Sequence, residues 1–347
     1  MTTVSKQPKS NPRNPSEPFG LYNQAKGAPN AFQFGGGESK DLRLHFGTYA
    51  MNFWSTTPGW ETADPDQPAR TVPSSTIKEP MPAKPKLGQN FLNDAHAAQR
   101  IADSLGDLAG LTVVEIGPGA GAITSALVAR AAHVIAVELD AGLAAHLRTE
   151  FPADRLTVHQ QDVLNFDFAA AAAEAGQRLL VFGNLPYYIT SQILLKLAAS
   201  HAALDRAVLM VQREVAERIT AAPASRDYGL LSVTVQLYGP ATNLFTLAPS
   251  SFSPPPDVHS TVFRWRFAPR FEELGVEESS FLPFVRKVFA QKRKTLANNL
   301  RAAEFAPADI VSALTGVEID PRARAEQLPI ETLAALWRAL NGKQAGL

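Results

Sequence analysis

The chain contains no cysteine, which excludes disulfides, thiolate nucleophiles and cysteine-ligated metals. Its seven histidines are scattered without an H-x-x-x-H pair or a similar ligand spacing, so no metal is expected. No apolar run approaches the ~18 residues a membrane span requires, and no membrane partner is expected. Neither sign of charge is in excess, because 33 basic and 33 acidic residues cancel. A nucleic-acid partner would have to be met by a local patch rather than by the field of the whole chain. What is present is 347 residues, 45% of them apolar, enough for two domains and an appendage.

Residues 1–83 hold eleven prolines and the run Gly35-Gly36-Gly37, with no sustained helical or strand period, and read as a disordered arm. Lys6, Lys9 and Arg13 precede any acid, as in a transit peptide. The prolines, the missing apolar segment and the acids from Glu17 onward argue instead for a cytoplasmic protein. Met51 and Met81 are alternative starts, and the stretch 42–54 has enough apolar content to dock on the body.

From Lys84 to about residue 268 the pattern changes. Thr112–Gly117, His133–Asp140, Leu156–Asp162, Leu179–Leu185 and Ala207–Gln212 are predicted strands, rich in Val, Ile and Leu. Ala-rich segments of helical period lie between them, such as Ile123–Ala131 and Ala141–Glu150. Such alternation predicts an α/β fold, a mostly parallel sheet with helices on both faces. Thr242–Leu247 and Ser260–Phe267 follow as an antiparallel edge pair, joined by a stiff loop over Pro249–Val258. Residues 269–347 read as a small all-helical domain, with helices over Phe281–Leu300, Pro307–Thr315 and Ile330–Asn341. No repeat is visible.

The segment Glu115-Ile116-Gly117-Pro118-Gly119-Ala120-Gly121 joins the first strand to a helix. Glycines there let a ligand approach the backbone, and the helix start offers free N–H groups. Pro118 removes one N–H that a phosphate would use, so the spacing favours S-adenosyl-L-methionine over a dinucleotide. A merely tight turn is the bland reading. Glu138 ends the second strand, where a carboxylate can accept both ribose hydroxyls. Asp140 suits an N-cap of the following helix. Asp162 ends the third strand, either as a cap or as an acceptor for an adenine amino group. Three strand ends in register favour the ligand reading, because such sheets bind beyond their carboxyl ends.

Asn184-Leu185-Pro186-Tyr187 ends the apolar run Leu179–Gly183. An amide, backbone carbonyls and an aromatic at a strand end suit a pocket that grips an extruded adenine. Tyr187 is a candidate for stacking on that base. Phe252 is placed either on its other face or in the core, and Tyr188 is expected to pack. Arg286, Lys287, Lys292, Arg293, Lys294 and Arg301 lie together without an acid. On one helix Val285, Phe289, Leu296 and Leu300 would share the buried face, and the bases would form either a solvated face or a phosphate contact.

These motifs occur with Leu87-Gly88-Gln89-Asn90-Phe91-Leu92, Phe252-Ser253-Pro254-Pro255-Pro256 and Gln291-Lys292-Arg293-Lys294-Thr295-Leu296. The ordered set, from about Lys84 to near Leu340, resembles the KsgA-type small-subunit rRNA adenine dimethyltransferases. The resemblance implies a Rossmann-like class I methyltransferase that transfers four methyl groups to two adjacent adenines near the 3′ end of 16S rRNA during small-subunit assembly, with S-adenosyl-L-methionine as cofactor. It implies that Asn90 and Leu92 close over the methionine part of the cofactor. Gly117 and Gly119 then meet its backbone, Glu138 its ribose and Asp162 its adenine, with Asn184 between cofactor and base. The six basic residues without an acid, in a chain of no net charge, favour RNA contacts by the helical tail; a monomer is the default. Two other readings stay open: a large-subunit rRNA methyltransferase of the antibiotic-resistance type, and a non-catalytic assembly or transcription factor on the same fold.

Overall fold

The computed structural model describes residues 90–341. The arm expected over 1–83, the stretch 42–54 and Leu87–Gln89 of the first motif lie outside the described residues. A two-residue strand β1 (Phe91–Leu92) and helix α1 (Ala95–Ser104) come first. A βα series follows: β2 (Thr112–Ile116), α2 (Thr124–Arg130), β3 (His133–Glu138), α3 (Ala141–Glu150), β4 (Leu156–Gln160), α4 (Phe168–Ala175), β5 (Leu179–Asn184), α5 (Thr190–Ala199) and β6 (Leu204–Gln212). Helices α6 (Arg213–Ile219) and α7 (Leu230–Leu237) lead to β7 (Ala241–Leu247), the short β8 (Phe252–Ser253) and β9 (Ser260–Arg266).

The main sheet runs β4-β3-β2-β5-β6-β9-β7. Strands β2 to β6 are parallel neighbours, and β9 is antiparallel to both β6 and β7. The expected edge pair is present, from Ala241 opposite Trp265 to Leu247 opposite Ser260, with a slip in register between Asn243 and Phe245. The chain order reverses between β2 and β5, where open α/β sheets form a crevice beyond their carboxyl ends.

The two-residue period of the strands sorts the core into two layers. Val113, Val134, Ala136, Leu180, Phe182, Val208 and Met210 pack against α1, α2 and α3. Val114, Ile116, Ile135, Val137, Val181, Leu209 and Val211 face the opposite way. That second layer continues without a break into the C-terminal helices through Phe281, Val285, Leu296 and Leu333. Each such side chain, fully buried, adds about 1.5–3 kcal/mol of transfer free energy.

Those helices are α8 (Phe271–Leu274), α9 (Glu278–Val288), α10 (Leu296–Ala302), α11 (Pro307–Gly316) and α12 (Ile330–Asn341). The single helix predicted over Phe281–Leu300 is in fact two. Thr295 caps α10 by accepting the Asn298 N–H at 3.3 Å. The Asn299 amide donates to the carbonyls of Val288 (2.7 Å) and Gln291 (3.3 Å), satisfying groups that the end of α9 leaves free. Val285, Phe289, Leu296 and Leu300 are buried as expected, but Lys292, Arg293 and Lys294 sit in the connecting loop rather than on a helix face. Among the described residues, no helix is long and apolar enough to cross a membrane, and no group of three or more His, Asp or Glu is placed to hold a metal.

Candidate active site

A cleft opens at the reversal point of the sheet. It is lined by Asn90, Phe91 and Leu92, by the β2–α2 loop from Gly117 to Ala120, by Phe182 and Met210, and by Asn184 to Tyr187. Three of the sequence motifs therefore meet in one cavity.

The glycine loop is held from both sides by buried carboxyls. Gly117 and Gly119 have φ of +62° and +60°, a region closed to most L residues. A Cβ at Gly119 would stand 3.0 Å from the Phe91 ring, so the ring lies flush against the loop. Glu138, 2% exposed, accepts the Gly119 N–H at 3.1 Å through Oε2 and the Asp140 N–H at 2.9 Å through Oε1. Glu115, 1% exposed, accepts the Thr124 hydroxyl at 2.7 Å at the start of α2. Burial pushes the Glu115 carboxyl up to about 8; the Thr124 hydrogen bond opposes this, and the nearby Glu138 charge adds to it. Glu115 lines the cleft, and its position inside β2, rather than at a strand end, hid it from the sequence reading. Asp140 caps α3 as expected, accepting from Gly142 and Leu143.

Asp162 is half-buried at the end of β4, where it accepts the Leu164 N–H at 2.9 Å as the cap of a short helical turn. It stands one strand beyond Glu138 and outside the lining of the cleft.

At the end of β5, the Asn184 amide nitrogen donates to the Asn90 carbonyl at 3.2 Å. Only the NH2 can face a carbonyl, so Asn184 Oδ1 is left as an acceptor without a partner among the described residues. The Pro186 carbonyl accepts both the Ile189 N–H (3.2 Å) and the Thr190 hydroxyl (2.9 Å). The Leu185 N–H donates to Met210 at 3.0 Å, which fixes this segment to β6. The Tyr187 hydroxyl meets that of Ser260 at 3.2 Å, so its ring is braced against β9.

Two aromatic expectations change. Phe252 is 3% exposed inside the core layer that includes Leu92 and Met210, so its ring is not available to a base. It is buried because β8 pairs with β1, Leu92 opposite Phe252, and Asn93 donates to the Ser251 carbonyl at 3.0 Å. The segment that begins at Phe252 thus holds the Asn90–Leu92 wall of the cleft in place. Tyr188, expected to pack, is 62% exposed.

The basic side chains of Arg286, Lys287, Lys292, Arg293 and Lys294 are all exposed. Lys292 also joins a groove with Arg226, Arg322 and Arg324, and its Nζ donates to the Arg226 carbonyl at 3.4 Å. Arg226 and the pair Arg322 and Arg324 come from separate segments, and no local signal in the sequence marks their convergence.

Sheet order, helices on both faces and the glycine loop at the reversal point define a class I methyltransferase. Similar folds are found in a dimethyladenosine transferase from Plasmodium falciparum (TM-score 0.60, 22% identity, 73% of this chain and 98% of that one) and in the 23S rRNA methyltransferase ErmE (TM-score 0.56, 24% identity, 73% and 100%). The chain belongs to the ribosomal RNA adenine dimethylase family, whose sequence profile matches residues 81–341. Among its relatives are the ribosomal RNA small subunit methyltransferases A of Acidobacterium capsulatum (55% identity, 75% of this chain and 92% of that protein) and Koribacter versatilis (47% identity, 76% and 97%).

Proposed function

We propose that the protein dimethylates N6 of two adjacent adenines in the 3′-terminal hairpin loop of 16S rRNA, using S-adenosyl-L-methionine, during assembly of the small ribosomal subunit in the cytoplasm. The observation that carries the reading is the shared cleft: the glycine loop and Asn184–Tyr187 line one cavity, so a cofactor and a flipped base can meet there. The small-subunit target is favoured by relatives of that name at 55% and 47% identity, whereas the likeness to the large-subunit enzyme is one of fold alone.

The residues present fit the cofactor. A loop with positive φ admits close backbone approach, the Glu138 carboxyl that holds Gly119 has oxygens able to accept ribose hydroxyls, and Phe91, Leu92, Phe182 and Met210 give apolar walls. Asn90 and Leu92 would cover its methionine part, Gly117 and Gly119 its backbone, and Glu138 its ribose. Asp162 would reach its adenine with the oxygen not engaged by Leu164. When bound, the cofactor supplies an electrophilic methyl on a sulfonium that departs as a neutral thioether.

Adenine N6 is a weak nucleophile because its lone pair is delocalised into the ring. Asn184 Oδ1 accepts one amine hydrogen. With the Pro186 carbonyl engaged in its own turn, the Leu185 carbonyl accepts the other. Two such acceptors hold the amine pyramidal, with its lone pair directed at the methyl, and stabilise the positive charge that develops on nitrogen. The positive charge that nitrogen would gain on accepting the methyl would be held by these two acceptors, and its proton would pass to water. Tyr187, braced by Ser260, stacks on the base. The direct test incubates the protein with labelled cofactor and small subunits lacking the modification, then maps the label. Label as dimethyladenosine at two adjacent adenines is expected; cofactor binding without incorporation would overturn the reading.

Residues 269–341 provide the RNA contacts in this reading, through Arg286, Lys287, Lys292, Arg293 and Lys294. Replacing Lys292, Arg293 and Lys294 together by alanine is expected to reduce the salt slope of small-subunit binding by about 2–3 in log–log units, at about 0.7–0.9 for each phosphate that is no longer neutralised. Cofactor affinity should not change, and a slope equal to that of the parent protein would show that the loop meets no phosphate.

A further inference from the structure

The motif at the end of β5 has a fifth residue that the proposed chemistry does not use. The Pro186 carbonyl accepts the Ile189 N–H at 3.2 Å, which makes Pro186–Ile189 a β-turn with Tyr187 and Tyr188 at its two central positions. The Thr190 hydroxyl bonds the same carbonyl at 2.9 Å and fixes the turn to the start of α5. From this fixed turn the two rings part. Tyr187 lines the cleft and meets Ser260, whereas Tyr188 is 62% exposed and its hydroxyl has no partner among the described residues.

Tyr188 is not an isolated exposed aromatic. Leu139, which follows β3, and Val258, in the loop entering β9, are also large exposed apolar side chains. Because β9 is antiparallel to β6, its entry lies at the carboxyl end of the parallel strands, as do the exits of β3 and β5. Three of the six large exposed apolar side chains among the described residues therefore lie on the sheet edge where the cleft opens.

A base lifted out of an RNA stack leaves its neighbour with one bare face, and aromatic side chains cover such faces without regard to sequence. A tyrosine has few rotors, and a hydrogen-bonded turn fixes its backbone, so little freedom is lost when a base stacks on it. We propose that Tyr188 is a stacking platform for the nucleotide flanking the target adenine and helps to keep the target extruded into the cleft. This rests on the RNA-methylating reading above.

The test is a cycle between side chain and base. Initial rates are measured for the full-length protein and its Tyr188→Ala and Tyr188→Phe variants. The substrates are small subunits reconstituted with intact rRNA or with rRNA carrying an abasic site immediately 5′ or 3′ of the adenine pair, so that both methyl acceptors remain. Tyr188→Ala should lower kcat/KM on intact subunits by about 5- to 160-fold, the range for loss of one base–aromatic stack. Tyr188→Phe should keep the parent rate, and cofactor affinity and melting temperature should stay unchanged throughout. One of the two abasic sites should slow the parent protein by a similar factor and have no further effect on Tyr188→Ala. Independent, multiplicative losses at both sites would overturn the platform while leaving the proposed function standing. Failure of the parent protein to methylate intact subunits would remove that function, and the platform with it.

Discussion

Asn184→Ala should reduce methyl transfer by at least about 1000-fold, while cofactor affinity changes no more than a few-fold. Removal of one preorganised hydrogen-bonding group aimed at developing charge typically costs about 100- to 1000-fold. Here the same side chain has a second task, since its NH2 donates to the Asn90 carbonyl and ties the strand end to the segment that covers the cleft. Alanine loses both. Asn184→Asp separates them: it keeps an acceptor for the adenine amine but cannot donate to Asn90, and it sets a negative charge against that carbonyl. Its loss should be smaller than that of alanine if the acceptor matters most, and equal if the tie to Asn90 dominates. Single-turnover rates, with cofactor binding measured by titration, make the comparison. Transfer at the parent rate by Asn184→Ala would remove Asn184 from the mechanism.

The parts of this site that were legible in the sequence share one property: each lies where a regular element stops. Gly117 follows, and Glu138 and Asn184 end, strands whose apolar runs are visible without a structure, and α3 and α12 match their predicted bounds, Ala141–Glu150 and Ile330–Asn341. What was not legible depends on contacts between distant segments. Phe252 is core because a two-residue strand far upstream pairs with it, and no local pattern announces so short a strand. The break between α9 and α10 depends on Asn299 reaching back to Val288 and Gln291, a competition between side chain and backbone that an apolar period does not register. Tyr188 points outward because its turn is closed by Thr190 and because Tyr187 takes the inner position. Arg226, Arg322 and Arg324 meet Lys292 only after the sheet and the C-terminal helices have docked on one core.

Glu115→Gln should stabilise the protein, and the gain should grow with pH. The Glu115 carboxyl titrates at its ordinary 4.5 when the chain is unfolded and at about 8 when buried in β2. The folded state therefore holds a proton that the unfolded state has released throughout that window. Its contribution to stability is fully present below pH 4.5, falls as pH rises, and is lost once pH passes about 8. At 1.36 kcal/mol for each pH unit between the two values, the full loss is about 3–5 kcal/mol. Glutamine is neutral at every pH and keeps an oxygen to accept the Thr124 hydroxyl, so it copies the protonated acid without the penalty. Denaturant unfolding of both proteins from pH 5 to pH 9 should give nearly equal stability at the acid end and a gap of about 3–5 kcal/mol at the alkaline end. Acid-driven changes elsewhere in the chain cancel in that difference. Curves that remain parallel would mean that Glu115 ionises as freely in the folded protein as in the unfolded chain.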